Sequence, residues 1–256
     1  MISGFTCIRN NFELDYCVEL TIQSMLPISD EVVVCDSDST DGTREMLDKW
    51  AEREPKLRII NRPWEEPNGK LSWWVDWIFW AQQHLRYPKM LFLDGDEVLD
   101  PMGYNTLLNA GPKDCYWARR LNYWHDVWHE APHGTVCAHE VARFGPTELR
   151  MWSDEIHDGV QFPFPEPEIR VKAKRSPHLV VHHYGFLRKR EAMFRKVRNN
   201  LKYFFGCGQD VRILEAEKHP EIHWTEFCKF LEPLLKTNGY QPAHCWPWLK
   251  ERGAMG

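Results

Sequence analysis

Three apolar runs set the frame of this chain: ISGFTCI from Ile2, EVVVCD from Glu31 and KMLFLD from Lys89. Each is rich in β-branched or aromatic residues and gives way to a polar turn, which predicts buried strands. Segments of helical periodicity lie between them. FELDYCVELTIQSML follows the first, and an amphipathic, tryptophan-rich stretch from about Leu71 to Leu85 precedes the third. A fourth strand-like run, LRIIN, follows a helix opened by SDSTDGTREMLDKW, where Ser and Thr lie ahead of Glu45 as capping requires. Strands alternating with such helices imply right-handed crossovers and a mostly parallel sheet. In such sheets ligands bind at the carboxyl ends of the strands. Two acidic clusters, Asp36–Asp41 and Asp94–Glu97, fall at those ends.

The middle of the chain, from Pro101 to about Pro177, is less regular and is broken at Pro132, Pro146, Pro163, Pro165 and Pro167. CYWARRLNYW and HEVARF read as strands there, and SPHLVVHHYG as a final strand. A basic helix, FLRKREAMFRKVRNNLKYFF, follows, with helical segments to about Lys236. The predicted organisation is an α/β domain over residues 1–185 and a C-terminal helical extension over residues 186–256.

With 256 residues, 43% hydrophobic and 27% charged, the chain is neither disordered nor collagen-like. A globule this size buries roughly 70–75% of its unfolded surface and needs no disulfide staples. No run approaches the ~18 apolar residues of a membrane span. The N-terminus has no basic region followed by an apolar one, so no secretion signal is expected. Eight scattered cysteines without a CxxC pair read as reduced thiols, most of them small core residues. The expectation is a cytoplasmic protein, or one peripheral to the inner face of the membrane. Thirteen tryptophans either fill the core or offer stacking surfaces to a sugar or a base, and their number does not separate the two.

The net charge of −5 is unevenly spread. From Arg170 to Lys202 eleven Lys or Arg face one acid, Glu191, a balance of +10, so the remainder sums to −15. Arg188, Lys189, Arg195, Lys196 and Lys202 alternate with Phe186, Phe194 and Tyr203, as on a basic amphipathic helix. That segment is a solvated face or meets an anionic partner. The partner is a membrane surface with a lipid-linked glycan, or in second place DNA. No obligate protein partner is evident. HDVWHEAPHGTVCAHE contains a literal H-E-x-x-H, His129 to His133, but Pro132 would break the helix a zinc protease needs. His125, His129, His133, His139 and Cys137 remain as candidates for a structural zinc site, against the plainer reading of an acceptor-side loop.

Asp94 and Asp96 are one residue apart, and in an extended strand such residues share a face and can meet one hard cation. Acidic turns after strands are common, so the pair alone is weak evidence. Joined to VVVCDSDSTDGT at the end of an earlier strand, it makes the chain resemble the family 2 glycosyltransferases, which have a GT-A fold. The resemblance runs from about Ser3 to Lys202. EVVVCDSDSTDGT is similar to the family's strand-D-x-G-S-T-D-G-T, and MLFLDGDEVL to its L-D-A-D-E. IHDGV and VHHYGF look like the "HD" and H-Y-S-like steps of the branch that includes lipopolysaccharide-core enzymes.

The resemblance implies an inverting, metal-dependent transferase. It moves a sugar from a nucleotide sugar, a UDP-sugar, to a hydroxyl of a glycan or lipid-linked acceptor. Asp36 would accept from uracil N3–H, and Asp94 would lie at the ribose or the metal-bound diphosphate. Asp96 and His183, with Asp94, would hold Mn²⁺ or Mg²⁺. Lys70 would touch the diphosphate as a point charge. Arg9 and Asp38 complete the expected donor-binding set. Asp158, or in second place Glu155, would take the acceptor's proton. Two positions depart from the pattern: Asn10-Asn11 stands where the family has Asn-Glu, and Asp38 where it has glycine. Two other readings are a glycosyltransferase acting on hydroxymethylated DNA bases and a nucleotide-sugar-binding module without turnover.

Overall fold

The computed structural model describes residues 1–65, 72–132, 139–148, 173–204, 219 and 234–255. Its first half is the expected alternation. β1 (Ile2–Ile8), α1 (Val18–Met25), β2 (Glu31–Asp36), α2 (Thr43–Ala51), β3 (Leu57–Asn61), α3 (Ser72–Gln82) and β4 (Lys89–Phe92) follow in order. β1 pairs in parallel with both β2 and β4, and β2 with β3. The order β3-β2-β1-β4 places a topological switch point between β1 and β4.

These strands read as continuous apolar runs because both faces are covered. On one face Ile2, Ile8, Val32, Val34 and Leu91 pack with Val18 and Ile22 of α1 and Leu47 of α2. On the other, Phe5, Cys7, Val33, Cys35, Met90 and Phe92 pack with Trp77, Ile78 and Ala81 of α3. The period-two alternation of strand side chains sorts the residues between the layers.

The second half is mixed. β5 (Glu97–Leu99) and α4 (Tyr104–Leu108) lead into β6 (Tyr116–Trp124), β7 (Asp126–Glu130), β8 (Glu140–Pro146) and β9 (Lys174–His183). α5 (Arg190–Phe204), β10 (Leu235–Lys236) and α6 (Trp246–Glu251) complete the described elements. β8 pairs antiparallel with β4 and β6, β9 runs parallel to β6, and β5 pairs antiparallel with β9. β5 and β10 are too short to register as strands in the sequence, and β7 (DVWHE) carries no apolar run. β7 also settles the H-E-x-x-H motif, since His129 and Glu130 stand on a strand rather than a helix.

Two local expectations shift. The cap of α2 is supplied neither by Ser nor by the Thr ahead of Glu45. Gly42 takes the N-cap at φ +92°, and Asp41 Oδ1 accepts from Thr43 N–H at 3.1 Å and Thr43 Oγ1–H at 2.5 Å. Trp77 and Trp124 are buried, and Trp50, Trp80 and Trp248 pack partly buried against the core clusters. The five described cysteines, Cys7, Cys17, Cys35, Cys115 and Cys245, are free thiols in the interior. Among the described residues no helix is long and apolar enough to cross a membrane.

The most consequential buried charges lie where the halves meet. Glu97 Oε1 accepts from Arg143 Nη2 at 2.7 Å and faces Arg120 Nε at 2.9 Å, and all three side chains are sealed from solvent. Removing one partner of such a pair strands the other. Glu97→Ala is therefore expected to cost about 3–5 kcal/mol, read as a fall in the denaturant midpoint of unfolding. A second buried network joins Asp100 Oδ2 to His182 Nε2 at 3.0 Å and His182 Nδ1 to Tyr123 Oη at 2.8 Å. Burial alone would raise the Asp100 pKa, but bonds from His182 and Met102 N–H hold it below the ordinary value. A depressed carboxylate contributes stability that is present above its unfolded pKa and lost as pH falls through the folded one. Asp100→Asn should thus destabilise by roughly 1.5–3 kcal/mol at pH 6. That difference should shrink below about pH 4 in unfolding curves taken across the range.

Candidate active site

The ends of β1, β2 and β4 carry Arg9, Asp36, Asp38 and Asp94, four of the five residues expected on the donor side. Asp36, the last residue of β2, is folded into its own turn: Ser39 Oγ–H donates to Oδ1 at 2.5 Å and Ser39 N–H to Oδ2 at 3.3 Å. Burial pushes its carboxyl above the ordinary value despite these donors. Asp38, which stands where the resembled family has glycine, adopts φ +50°. Glycine suits that left-handed region best, and Asp is among the side chains that tolerate it. Its carboxylate accepts from Trp64 N–H at 2.7 Å and Asn61 Nδ2 at 3.1 Å, which holds its pKa down. Asp38 therefore ties the β2 turn to the segment after β3. Arg9 lies 4.0 Å from the centroid of the Trp64 ring.

Asn10 and Asn11 also have work in the structure. Asn10, at φ +54°, accepts from Thr40 N–H at 2.9 Å, and Asn11 Oδ1 accepts from Val18 N–H at 3.2 Å at the start of α1. These amides hold the β1–α1 and β2–α2 loops in register.

Asp94–Glu97 is a hydrogen-bonded turn rather than an extended strand. Glu97 N–H donates to Asp94 O at 2.9 Å, and Asp94 N–H to Glu97 Oε2 at 3.0 Å. Asp94 and Asp96 consequently meet different partners. Asp94 Oδ2 accepts from Arg143 Nη2 at 2.7 Å. Asp96 Oδ2 is bound by Arg188 Nη2 and lies 3.4 Å from Lys196 Nζ, while its Oδ1 faces His183 Nε2 at 3.7 Å. Burial would raise the Asp96 pKa, but Lys196, His183 in its protonated form, Arg188 and Arg120 together drive it far below the carboxylate range.

His183 reaches Asp96 because β9 and β5 pair with Glu97 opposite His183. His182 turns away to Asp100 and Tyr123. His183 Nδ1 meets Asn122 Oδ1 at 2.9 Å; an amide oxygen only accepts, so Nδ1 carries a proton, and in the neutral ring the lone pair is left on Nε2. Gly185 keeps the ground between imidazole and carboxylate open. A Cβ there would lie 2.3 Å from His183 Nε2 and 2.9 Å from Asp96 Oδ2.

The family comparison falls on this region. The model of glycosyl transferase family 2 matches residues 13–194, most of the chain and all of the turn just described. The chain belongs to this family. It is a glycosyltransferase with the family's mixed α/β, GT-A architecture. Among solved structures it is similar to the S. aureus TarS fragment 1–349, at 14% identity over 99% of this chain and 79% of that one, with a TM-score of 0.43. The mannosyltransferase PcManGT from Pyrobaculum calidifontis, in complex with GDP-Man and Mn²⁺, gives 18% identity over 87% and 69%, with a TM-score of 0.45. At such values the family assignment rests on the sequence match. No functionally curated protein matches the chain.

Several residues of this glycosyltransferase site were not expected. Arg120, Arg143, Asn122, Arg188 and Lys196 all take part, and none carries a local motif. Arg188 and Lys196 belonged to the basic segment read as a solvated or lipid-facing helix, yet both turn inward. Lys174 with Asp114, Arg175 with Glu140 and Lys189 with Glu251 are also ion-paired, so five of the segment's eleven cations are matched to carboxylates of this chain. The charge that is segregated along the sequence is partly met in space, by four carboxylates from other parts of the chain.

Among the described residues no three His, Cys, Asp or Glu side chains converge as a metal cage. His129 pairs with Asp126, and His139 with Glu130. Lys70, His133, Cys137, Glu155 and Asp158 lie outside the described residues. Gly185→Ala should push His183 and Asp96 apart and lower nucleotide-sugar turnover roughly a hundredfold. Release of nucleoside diphosphate from the donor is the readout.

Proposed function

We propose that the chain transfers a sugar, with inversion, from a UDP-sugar to a hydroxyl of a glycan or lipid-linked saccharide, assisted by Mn²⁺ or Mg²⁺. The observation that carries this reading is the meeting of Asp96 and His183 over Gly185, beside the β1 and β2 loops of a family 2 glycosyltransferase. An anionic oxygen and an imidazole nitrogen with its lone pair turned inward suit a borderline-hard divalent ion. Asn122 supplies the outer-shell bond that fixes the imidazole. Asp96 Oδ1 and His183 Nε2 would hold the ion, and the bound ion would supply Lewis-acid neutralisation of the departing diphosphate.

The chain's own groups do the rest. Asp36 accepts the N3–H of uracil, and Arg9 with the ring of Trp64 flanks the nucleoside. Arg143 fixes Asp94 toward the ribose side. Asp158, with Glu155 as the alternative, takes the acceptor proton as the acceptor oxygen attacks C1. One bond forms at C1 while the bond to the diphosphate oxygen breaks on the opposite side, through an oxocarbenium-like transition state. Residues 186–256 serve as an extension to the catalytic unit 1–185 and lend it Arg188 and Lys196. The second acceptor reading, a hydroxymethylated base in DNA, has no specific observation in its favour.

Thermal unfolding with UDP, GDP or CDP, each with Mn²⁺ or with EDTA, tests the donor and the ion together. At a hundredfold above its dissociation constant the correct nucleotide adds about 2.7 kcal/mol. For a chain this size the midpoint then rises by roughly 5–10 °C. UDP with Mn²⁺ is expected to give the largest rise. An equal rise with GDP or CDP overturns the uracil role of Asp36, and a rise unaffected by EDTA overturns the metal assignment.

A further inference from the structure

Three exposed aromatic side chains come from one corner of the fold. Trp128 on β7, Tyr240 after β10 and Trp246 at the start of α6 are 44%, 48% and 46% exposed. Trp128 is firmly held. Thr237 N–H, just past β10, donates to Trp128 O at 2.9 Å, and Asp126 Oδ1 accepts from Trp128 N–H at 2.8 Å. Gly239 passes under the indole at φ +66°. A Cβ there would stand 2.3, 2.0 and 2.5 Å from Cε3, Cζ3 and Cη2, three successive atoms of the six-membered ring. Such near-equal distances belong to a point above the ring plane, so one face of the indole lies on the glycine backbone. Glycine is required twice over, for its backbone angle and for the room it leaves. The exposed part of Trp128 is its other face and rim.

Polar groups flank this ring. Asp126 precedes Trp128 by two residues on the same strand, so the two side chains share a face. His129 Nδ1 meets Asp126 Oδ1 at 2.8 Å and Oδ2 at 3.0 Å. A carboxylate only accepts, so the imidazole N–H steadies Asp126, which keeps lone pairs for a further donor. Tyr240 N–H donates to Asn238 Oδ1 at 3.1 Å, and Trp246 Nε1–H to Gln241 O at 3.2 Å, so the same stretch of chain is tied at both ends. The strip lies apart from the donor site. His183 faces Asp96, whereas its neighbour His182 points to the opposite side of β9, where its ring centroid is 6.3 Å from that of Tyr240.

We propose that Trp128, with Tyr240, forms a platform that binds a pyranose ring of a saccharide, separate from the donor site. A pyranose presents a flat apolar face of C–H groups and a rim of hydroxyls. The face stacks on an aromatic ring that is held still in advance, and the rim needs fixed acceptors such as the Asp126 carboxylate. A sugar hydroxyl donates to that carboxylate and so keeps it satisfied when water leaves. Because the strip lies on the far side of β9 from Asp96, the sugar held there is not the reacting one. It is a unit of the acceptor glycan remote from the attacked hydroxyl, and holding it raises the effective concentration of the acceptor at the site. The inference rests on the saccharide acceptor of the reading above, and on neither the nucleotide nor the ion.

The test applies the full chain to an array of immobilised pyranose oligosaccharides. The oligosaccharide retained best is then titrated calorimetrically into wild type, Trp128→Ala, Trp128→Phe and Tyr240→Ala. Trp128→Ala is expected to weaken binding by on the order of tenfold or more. Phe keeps a flat ring over Gly239, so Trp128→Phe should recover most of that loss. Tyr240→Ala should weaken binding roughly threefold or more, and it decides the matter if Trp128→Ala lowers the unfolding midpoint. An unchanged affinity in Trp128→Ala overturns the inference alone, because the saccharide then binds elsewhere on the chain. Self-association of wild type that Trp128→Ala abolishes in sedimentation, with saccharide affinity unchanged, also overturns it and gives the strip to a second copy. If wild type retains no member of the array, the inference falls together with the saccharide acceptor, while unfolding with nucleotides reports the donor site independently.

Discussion

Three carboxylates within one four-residue turn, Asp96 and Glu97 buried and Asp94 partly so, are the constraint around which the rest of this glycosyltransferase is arranged. Asp94, Asp96 and Glu97 sit where β4 leaves the sheet, in surroundings that strip Asp96 and Glu97 of most of their water. Ionised carboxylates in such a place are tolerable only when cations and hydrogen-bond donors meet them with good geometry. The donors come from distant stretches of chain: Arg120 on β6, Arg143 on β8, Arg188 in the loop after β9 and Lys196 on α5. Satisfying the turn therefore joins the parallel half of the sheet to the mixed half and to the helix that follows it.

The same economy governs the loops around the site. The β1–α1 loop carries Asn10 at φ +54° and Asp15 at φ +51°, conformations that persist because many partners fix them. Glu13 N–H donates to Asp41 at 2.7 Å, and Asn11 N–H to Thr43 Oγ1 at 2.9 Å. Asp15 accepts from Lys189 N–H at 2.7 Å and is bound by Arg252, near the C-terminal end. Cys245, Leu249 and Ala254 pack with Cys17, the N-cap of α1, with Leu20 of α1 and with Tyr184 beside the site. The last residues of the chain thus clamp the first loop of the sheet, and Asp38 performs the matching service between the β2 turn and Trp64.

Much of this was open to inspection before any coordinates. β1, β2 and β4 are legible because strands covered on both faces are mostly apolar, and β3, at the sheet edge, because LRIIN keeps a short apolar, β-branched run. The acidic turns after β2 and β4 are legible because a parallel sheet exposes its carboxyl ends to ligands. The elements that escape notice are β5, β7 and β10. They are two to five residues long and owe their conformation to neighbours rather than to pattern. The i, i+2 argument for Asp94 and Asp96 fails for a related reason, since it presumes an extended backbone where Glu97 closes a turn.

What the sequence by itself determined was the family, the parallel half of the sheet and the positions of the acidic turns, because these follow from local pattern and strand-end chemistry. What only the tertiary structure decided was the sign and placement of the charge around those turns. A run of lysines and arginines between Arg170 and Lys202 reads as a basic surface when counted along the chain. Folded, it sends Arg188 and Lys196 to Asp96 and pairs Lys174, Arg175 and Lys189 with carboxylates more than thirty residues away. The physical reason is the reach of Coulomb attraction in a low-dielectric interior: it is set by distance in space, to which separation along the sequence is no guide.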